Sequence, residues 1–295
     1  MFARAPLRIS YGGGGTDLDP YRSEHGGVCL GVAIQKYAVS SKGGCNSSSL
    51  ISAILKRMNS KDGIELDVGA PPFSGLGASG SIAVSAIGLL ANGTMDKSSI
   101  AQLAFDIERN DLTVTGGFQD QIISAFGGMI YIEFGSERFN VIQMDRNSFI
   151  DELEYRTILV YTGKREVSGS EVQDDVLNRQ VVSPNLEALD RIKEIANEQR
   201  RLVRAGDIHG FCELLHYSWE EKKKLSPNVT NSNIDTMYEM AHGLGASGKI
   251  CGAGNGGYFL LVCPDSVSSV FHHLFEMGFA PERVKFDWEG LVVRK

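Results

Sequence analysis

Two carboxylates stand twelve positions apart across a glycine break: Glu108, then Gly116-Gly117, then Asp120. Apolar residues at Ile100, Leu103, Ala104 and Ile107 predict an amphipathic helix whose last turn carries Glu108, and Asp120 falls in the first turn of a short helix after the break. A helix end and a helix start joined in this way can aim both acids into one cavity. Phosphoryl transfer uses such a pair, one carboxylate for a metal ion and another near the attacking hydroxyl. Taken singly each acid has a plainer reading, Glu108 as a solvated helix-end charge and Asp120 as a first-turn acid favoured by the helix dipole. Arg8 sits inside an alternating strand, and Asp17 follows Gly12-Gly13-Gly14-Gly15-Thr16, where acids ordinarily serve turns.

The 34 glycines, about 12% of the chain against an average near 7%, are clustered. In one cluster, Gly75-Leu76-Gly77-Ala78-Ser79-Gly80-Ser81 opens the run Ile82–Leu90, apolar on nearly every face and therefore expected to be a buried core helix. Small residues put bare backbone N–H groups at that helix N-terminus, where the dipole attracts an anion such as phosphate. Ser79 and Ser81 add hydroxyls within expected reach of phosphate or Mg²⁺. Two familiar nucleotide motifs are excluded. Gly75-x-Gly77-x-x-Gly80 lacks a strand running into its first glycine, because Pro71-Pro72 interrupts the approach. Gly243-x4-Gly248-Lys249 is followed by Ile250 where a Walker A loop needs Ser or Thr. A third cluster, Gly252-Ala253-Gly254-Asn255-Gly256-Gly257, precedes an apolar strand and permits close approach of a ligand or another backbone.

The elements that must position these residues do not alternate as βαβ units, which implies an α+β fold. Strands are expected around Arg8–Tyr11, Gly31–Val39, Gly63–Val68, Met129–Phe134, Thr157–Tyr161, Tyr258–Val262, Val284–Phe286 and Leu291–Val293. Ser40–Ser49 has the composition of a flexible linker. From Ser168 to Leu244 helix follows helix, with Asp207 and Asn233 as expected N-caps, and Asp265 caps a last helix over Ser266–Met277. A boundary near residue 150 divides 1–150 from 151–295.

Hydrophobic residues at 42%, charged residues at 22% and a net charge of −7 mark a globular chain with no polycationic face for nucleic acid. No apolar run reaches the ~18 residues of a membrane span and Met1–Tyr11 lacks a signal-peptide core, so a cytoplasmic protein with no membrane partner is expected. Five scattered cysteines without a CxxC pair argue for free thiols rather than disulfides or zinc.

Three ordered motifs resemble those of the GHMP sugar and metabolite kinases: Arg4-Ala5-Pro6-Leu7-Arg8 through Gly15-Thr16-Asp17; Pro72-x-x-Gly75 through Ser81; and Lys249-x-x-Gly252-Ala253-Gly254-x-Gly256-Gly257. Within the family, the wording RxPLRIxxGGGGTD and GGxQDQ is most similar to heptose 7-phosphate kinases. The resemblance implies a two-domain fold, with an N-terminal domain like the second domain of ribosomal protein S5 and a ferredoxin-like C-terminal domain. It implies ATP-dependent phosphorylation of the anomeric hydroxyl of a sugar phosphate, with ATP and Mg²⁺ as cofactors. By the same resemblance, Gly75, Leu76, Gly77, Ala78, Ser79, Gly80 and Ser81 hold ATP phosphates, and Ser79 and Glu108 hold Mg²⁺. Asp120 orients or deprotonates the sugar hydroxyl, Arg8 stabilises the charge that develops, and Asp17, Gly14, Gly15, Thr16 and Gly254 meet the substrate.

The chain departs from the family at Gly14, where galactokinases carry a glutamate that meets the far end of the hexose. Loss of that charge and side chain makes room for a longer or phosphorylated sugar. Ala78 replaces a serine common in the phosphate loop, and Ser40–Ser49 replaces a longer segment. Cations for a sugar phosphate are sought at Lys164, Arg165, Arg22 and Lys36. The rival readings are a GHMP kinase for free galactose or fucose and a non-catalytic sugar-nucleotide sensor; homo-oligomer formation is left open.

Overall fold

The computed structural model describes residues 1–44, 48–165, 169–180 and 183–294. The chain begins with β1 (Phe2–Gly12), α1 (Tyr21–His25), β2 (Gly27–Lys42), α2 (Ser49–Arg57), β3 (Ile64–Val68), α3 (Ala78–Ala91), α4 (Lys97–Asp106) and α5 (Gln119–Phe126). It continues through β4 (Met129–Phe134), β5 (Phe139–Gln143), α6 (Ser148–Arg156), β6 (Thr157–Tyr161), α7 (Gly169–Gln180), α8 (Ser183–Ala205), α9 (Ile208–Leu225) and α10 (Ser232–Gly243). The last elements are β7 (Ser247–Ile250), β8 (Tyr258–Val262), α11 (Val267–Glu276), β9 (Pro281–Arg283) and β10 (Val292–Arg294).

Two antiparallel sheets organise these elements. The first runs β10-β1-β2-β4-β5, with β3 paired to the outer stretch of β2, and the second runs β7-β8-β6-β9. The two-residue period of β2 sorts its side chains between two cores. Val28, Leu30, Val32 and Ile34 face Ala196 of α8, Phe211 of α9 and Leu260 of β8. Cys29 and Ala33 face Val84 and Ile87 of α3 and Ile122 and Ile123 of α5. The first sheet is therefore covered on both sides, by helices of its own half and by elements of the second half. A third core, including Trp219, Ile234, Phe259 and Leu274, lies against the second sheet. Ten of the fourteen residues of α3 are buried, as an all-round apolar helix requires.

The α+β class holds, and several local expectations change. The boundary expected near residue 150 falls inside α6, and β10 crosses back to pair Ala3 with Val293, so two contiguous halves do not separate the sheets. The linker expected at Ser40–Ser49 shrinks, because β3 supplies a pairing partner that carries β2 to Lys42 despite its polar composition. Ser40 is buried, its hydroxyl 2.7 Å from that of Ser85; residues 45–47 lie outside the described residues. Ser168, the expected start of the helical region, also lies outside them. Asn231, not Asn233, caps α10 by accepting from Ile234 N, and Ser266, not Asp265, caps α11. The strand expected at Val284–Phe286 is reduced to a single bridge between Phe286 and Ile34. The four described cysteines are buried free thiols.

Candidate active site

Arg8 leaves β1 beneath the loop that opens α3. Its Nη1 donates to the Gly75 carbonyl at 2.6 Å, while Nε and Nη2 reach Asp120 Oδ1 at 2.7 and 2.6 Å. The backbone is stitched at the same place, Arg8 N donating to Leu76 O at 3.0 Å. Burial alone would lower the pKa of Arg8, but the Asp120 carboxylate reverses the balance and raises it. Among the described residues Asp120 Oδ2 accepts no hydrogen bond, and the side chain is 27% exposed. One carboxylate oxygen is thus pinned and the other is left for an incoming group. Gly80 allows this closeness, since a β-carbon there would lie 2.9 Å from Asp120 Cβ.

Glu108 is buried in a wide π-type turn, Ile107–Asp111, that continues α4. Such turns frequently mark functional sites. Its two oxygens accept from Ser79 Oγ at the start of α3 and from Gln121 Nε2 on α5. Burial pushes its pKa up, against the lowering effect of those two donors. Asp17 is buried in the turn after β1 and accepts from Gly15 N, Gln119 N and the Gln119 amide at 3.2–3.3 Å. Desolvation raises its pKa as well. Gly117 leaves room for it: a β-carbon at 117 would lie 1.8 Å from Asp17 Oδ2.

Arg8, Gly14, Gly15, Asp17, Ser79, Glu108 and Asp120 line one cavity of about 180 Å³, together with Lys222 of α9, Lys249 of β7 and Ser10. That volume admits a small-molecule acceptor. Other candidates do not reach it. Thr16 spends its hydroxyl on the carbonyls of Gly13 and Val28, locking the turn. Gly254 packs against Val229 behind the wall, and Asn255 N donates to Val229 O at 2.8 Å. Ser81 Oγ is buried within 2.8 Å of the Pro6 carbonyl, so the hydroxyl expected at the phosphate loop is turned into the core. Leu76 is a core residue. Of the surface cations, Arg22 pairs with Asp19, Lys36 pairs with Glu282, and Lys164 is exposed. Residue types alone did not single out Lys222 and Lys249. The available signals were a lysine inside the short strand SGKI and the inward member of the run Lys222-Lys223-Lys224.

The family model of the GHMP kinases N terminal domain matches residues 46–128, and that of the GHMP kinases C terminal domain matches 199–278, together more than half of the chain. The chain belongs to the GHMP kinases. It is 29% identical to D-glycero-alpha-D-manno-heptose 7-phosphate kinase of Campylobacter jejuni over 98% of this chain and 97% of that protein. It is 23% identical to L-fucokinase/L-fucose-1-P guanylyltransferase of Bacteroides fragilis over 92% of this chain but 35% of that one. A crystal structure of a D-glycero-D-manno-heptose 1-phosphate kinase from Bacteroides thetaiotaomicron superposes with a TM-score of 0.79 at 25% identity, covering 100% of this chain and 99% of that one.

As a GHMP kinase the chain is a phosphotransferase with an alcohol group as acceptor, and the family draws on ATP. The first sheet with α3 and α5 is the ribosomal protein S5-like part of the GHMP fold, and the second sheet is its ferredoxin-like part. The residues present fit a polyphosphate at α3. Its N-cap Gly77 is left-handed and offers no side-chain cap, so the helix amides face the loop. Among the described residues Arg165 Nη2 is a buried donor without a partner, and a β-carbon on Gly75 would lie 2.9 Å from it. They also fit a hard cation, because Ser79 and Glu108 supply oxygen ligands. No cluster of three or more His, Cys, Asp or Glu exists among the described residues. That spare donor set suits Mg²⁺, which is held by one or two carboxylates and completes its shell with water and substrate phosphates. Among the described residues no helix is long and apolar enough to cross a membrane.

Proposed function

We propose that this GHMP kinase phosphorylates the anomeric (C1) hydroxyl of a sugar phosphate, converting D-glycero-D-manno-heptose 7-phosphate to the 1,7-bisphosphate in the cytoplasm. The observation that carries the reading is the Arg8–Asp120 pair beside the N-terminus of α3, on a cavity that also holds Asp17 and two buried lysines. Asp120 Oδ2 meets the C1 hydroxyl and takes its proton as the oxygen attacks. Arg8, held by Asp120 and the Gly75 carbonyl, keeps that carboxylate in one orientation and places fixed positive charge where negative charge builds. The Gly75–Ser81 segment receives nucleotide phosphates on its helix amides, with Arg165 donating from the second half. Ser79 and Glu108 would hold Mg²⁺, which supplies charge neutralisation on the phosphates when bound. Asp17 accepts hydrogen bonds from sugar hydroxyls. Residues 1–150 thus contribute the acids, Arg8 and the phosphate loop, and 151–295 contribute Arg165, Lys222 and Lys249.

The likeness to fucokinases favours a second reading, a kinase for a free sugar. A coupled ADP-release assay over heptose 7-phosphate, free heptose, mannose 6-phosphate, fucose and galactose separates the two. Heptose 7-phosphate is expected to lead in kcat/KM by about 100-fold or more, because an analogue without the phosphate leaves the site's buried polar groups unpaired. Faster turnover of fucose or galactose contradicts the proposal.

A further inference from the structure

Two lysines on the cavity wall are buried with no acid in direct contact among the described residues. Lys249 is 2% exposed and Lys222 is 8% exposed. Among the described residues neither forms an ion pair. Lys249 Nζ donates only to the Ser10 carbonyl at 3.3 Å, and Lys222 Nζ donates to the Gly252 carbonyl. A buried ammonium group without a counter-charge is costly, and a structure tolerates it where an anion binds. Burial depresses the pKa of both; Lys249 and Arg165 on Lys222, and Arg8 on both, act in the same direction, while the Asp17 carboxylate acts against it on Lys249. Gly14 opens the space in front of Lys249. A β-carbon built there would lie 3.7 Å from Lys249 Nζ and 3.8 Å from both Ser10 Oγ and Gln119 Nε2, and nothing nearer would obstruct it. An ammonium, a hydroxyl and an amide NH₂ therefore converge on the volume that a side chain at 14 would fill.

We infer that Lys249 and Lys222, with the space left by Gly14, form the subsite for the acceptor's own phosphate group. This deepens the proposed function and rests on it. A phosphate monoester dianion matches two ammonium groups and a hydroxyl. Surface cations named from the chain alone are unsuited to this task, since Arg22 and Lys36 already pair with acids.

The test compares D-glycero-D-manno-heptose 7-phosphate with the same heptose lacking its phosphate, in wild type, Lys249→Met, Lys249→Arg and Gly14→Glu. Lys249→Met should lower kcat/KM for the 7-phosphate by about 10- to 100-fold through KM, as loss of hydrogen bonds to a charged group predicts. The free heptose should change by no more than about 3-fold, and Lys249→Arg should restore part of the preference. Gly14→Glu keeps both lysines and puts a carboxylate in the subsite, so it should abolish the preference for the phosphate ester; it decides the matter if Lys249→Met does not fold. Equal loss on both acceptors from Gly14→Glu or from folded Lys249→Met, or a loss expressed in KM for ATP, overturns the subsite while leaving the proposed reaction standing. A wild type that phosphorylates free heptose and ignores the 7-phosphate overturns the reaction itself, and the subsite with it.

Discussion

Arg8 and Lys249 both enter the cavity from strands, are both almost out of solvent, and both bring a positive charge, yet they are treated in opposite ways. Arg8 has a carboxylate at 2.6–2.7 Å, and its proton is held more tightly than usual. Lys249 and Lys222 have backbone carbonyls for partners, and burial loosens their protons. The first charge is balanced within the fold and acts as a rigid support for Asp120. The other two have no ion-pair partner among the described residues, which costs stability until an anion arrives. The site thus separates the groups that perform the reaction from the groups that choose the substrate, and it gives up stability only at the second set.

The sharpest way to break this contrast is to remove the internal counter-charge. Asp120→Asn takes away the proton acceptor and leaves Arg8 as a third cation without an ion-pair partner. Turnover should fall by about 10³-fold or more while ATP affinity is retained or rises, as single-turnover assays and nucleotide titration can show. Near-normal turnover would refute the role given to Asp120. Arg8→Met should be milder, about 10²-fold in kcat, because Asp120 keeps its place in α5 but loses its orientation and the reaction loses a fixed charge. A change confined to KM for the acceptor would put Arg8 among the selecting groups instead.

Asp17 is the carboxylate whose field supports the proton on Lys249. Gly117→Ala should push it aside, since the new methyl group would sit 1.8 Å from Oδ2. The expected result is a rise of about 10-fold in KM for the acceptor with kcat less affected. The smallest effect concerns Lys222, which faces Lys249, Arg165, Arg8 and Cys251. Its folded pKa lies well below the ordinary lysine value, so unfolding takes up a proton between that folded value and about 10.4. Stability from this group therefore rises with pH across that window. Lys222→Met should flatten that part of the slope and melt about 2–4 °C higher at pH 7 in thermal scans without ligand. An unchanged slope would mean that the ammonium is already balanced.

Much of this was legible in the chain, for reasons that differ from residue to residue. The core helix α3 announced itself because an all-round apolar run after a glycine loop has few other places to go. Glu108, Asp120, Arg8 and Asp17 were readable from spacing and motif, and the fold gathers all four at one cavity. Ser81 misled because its type suits phosphate, whereas its place in the first turn of α3 points it to the Pro6 carbonyl, a matter of helix phase set by packing. The extension of β2 to Lys42 was hidden because it depends on β3, more than twenty residues away in sequence. The return of β10 to β1 depends on contacts nearly 290 residues apart, which no local pattern encodes. Lys222 escaped, and Lys249 was quoted only as the first residue of the third motif with no role, for the complementary reason: a lysine in sequence reads as solvated, and only tertiary burial makes its charge significant.

The account's central claim is that the unpinned oxygen of Asp120 faces the C1 hydroxyl of a sugar that already carries a phosphate. The most direct measurement is ³¹P NMR of the purified enzyme with ATP, Mg²⁺ and D-glycero-D-manno-heptose 7-phosphate. The account predicts a new resonance coupled to the anomeric proton, growing in step with ADP while the original ester signal persists. ADP formation without an anomeric phosphate, or product only from a free sugar, would contradict it.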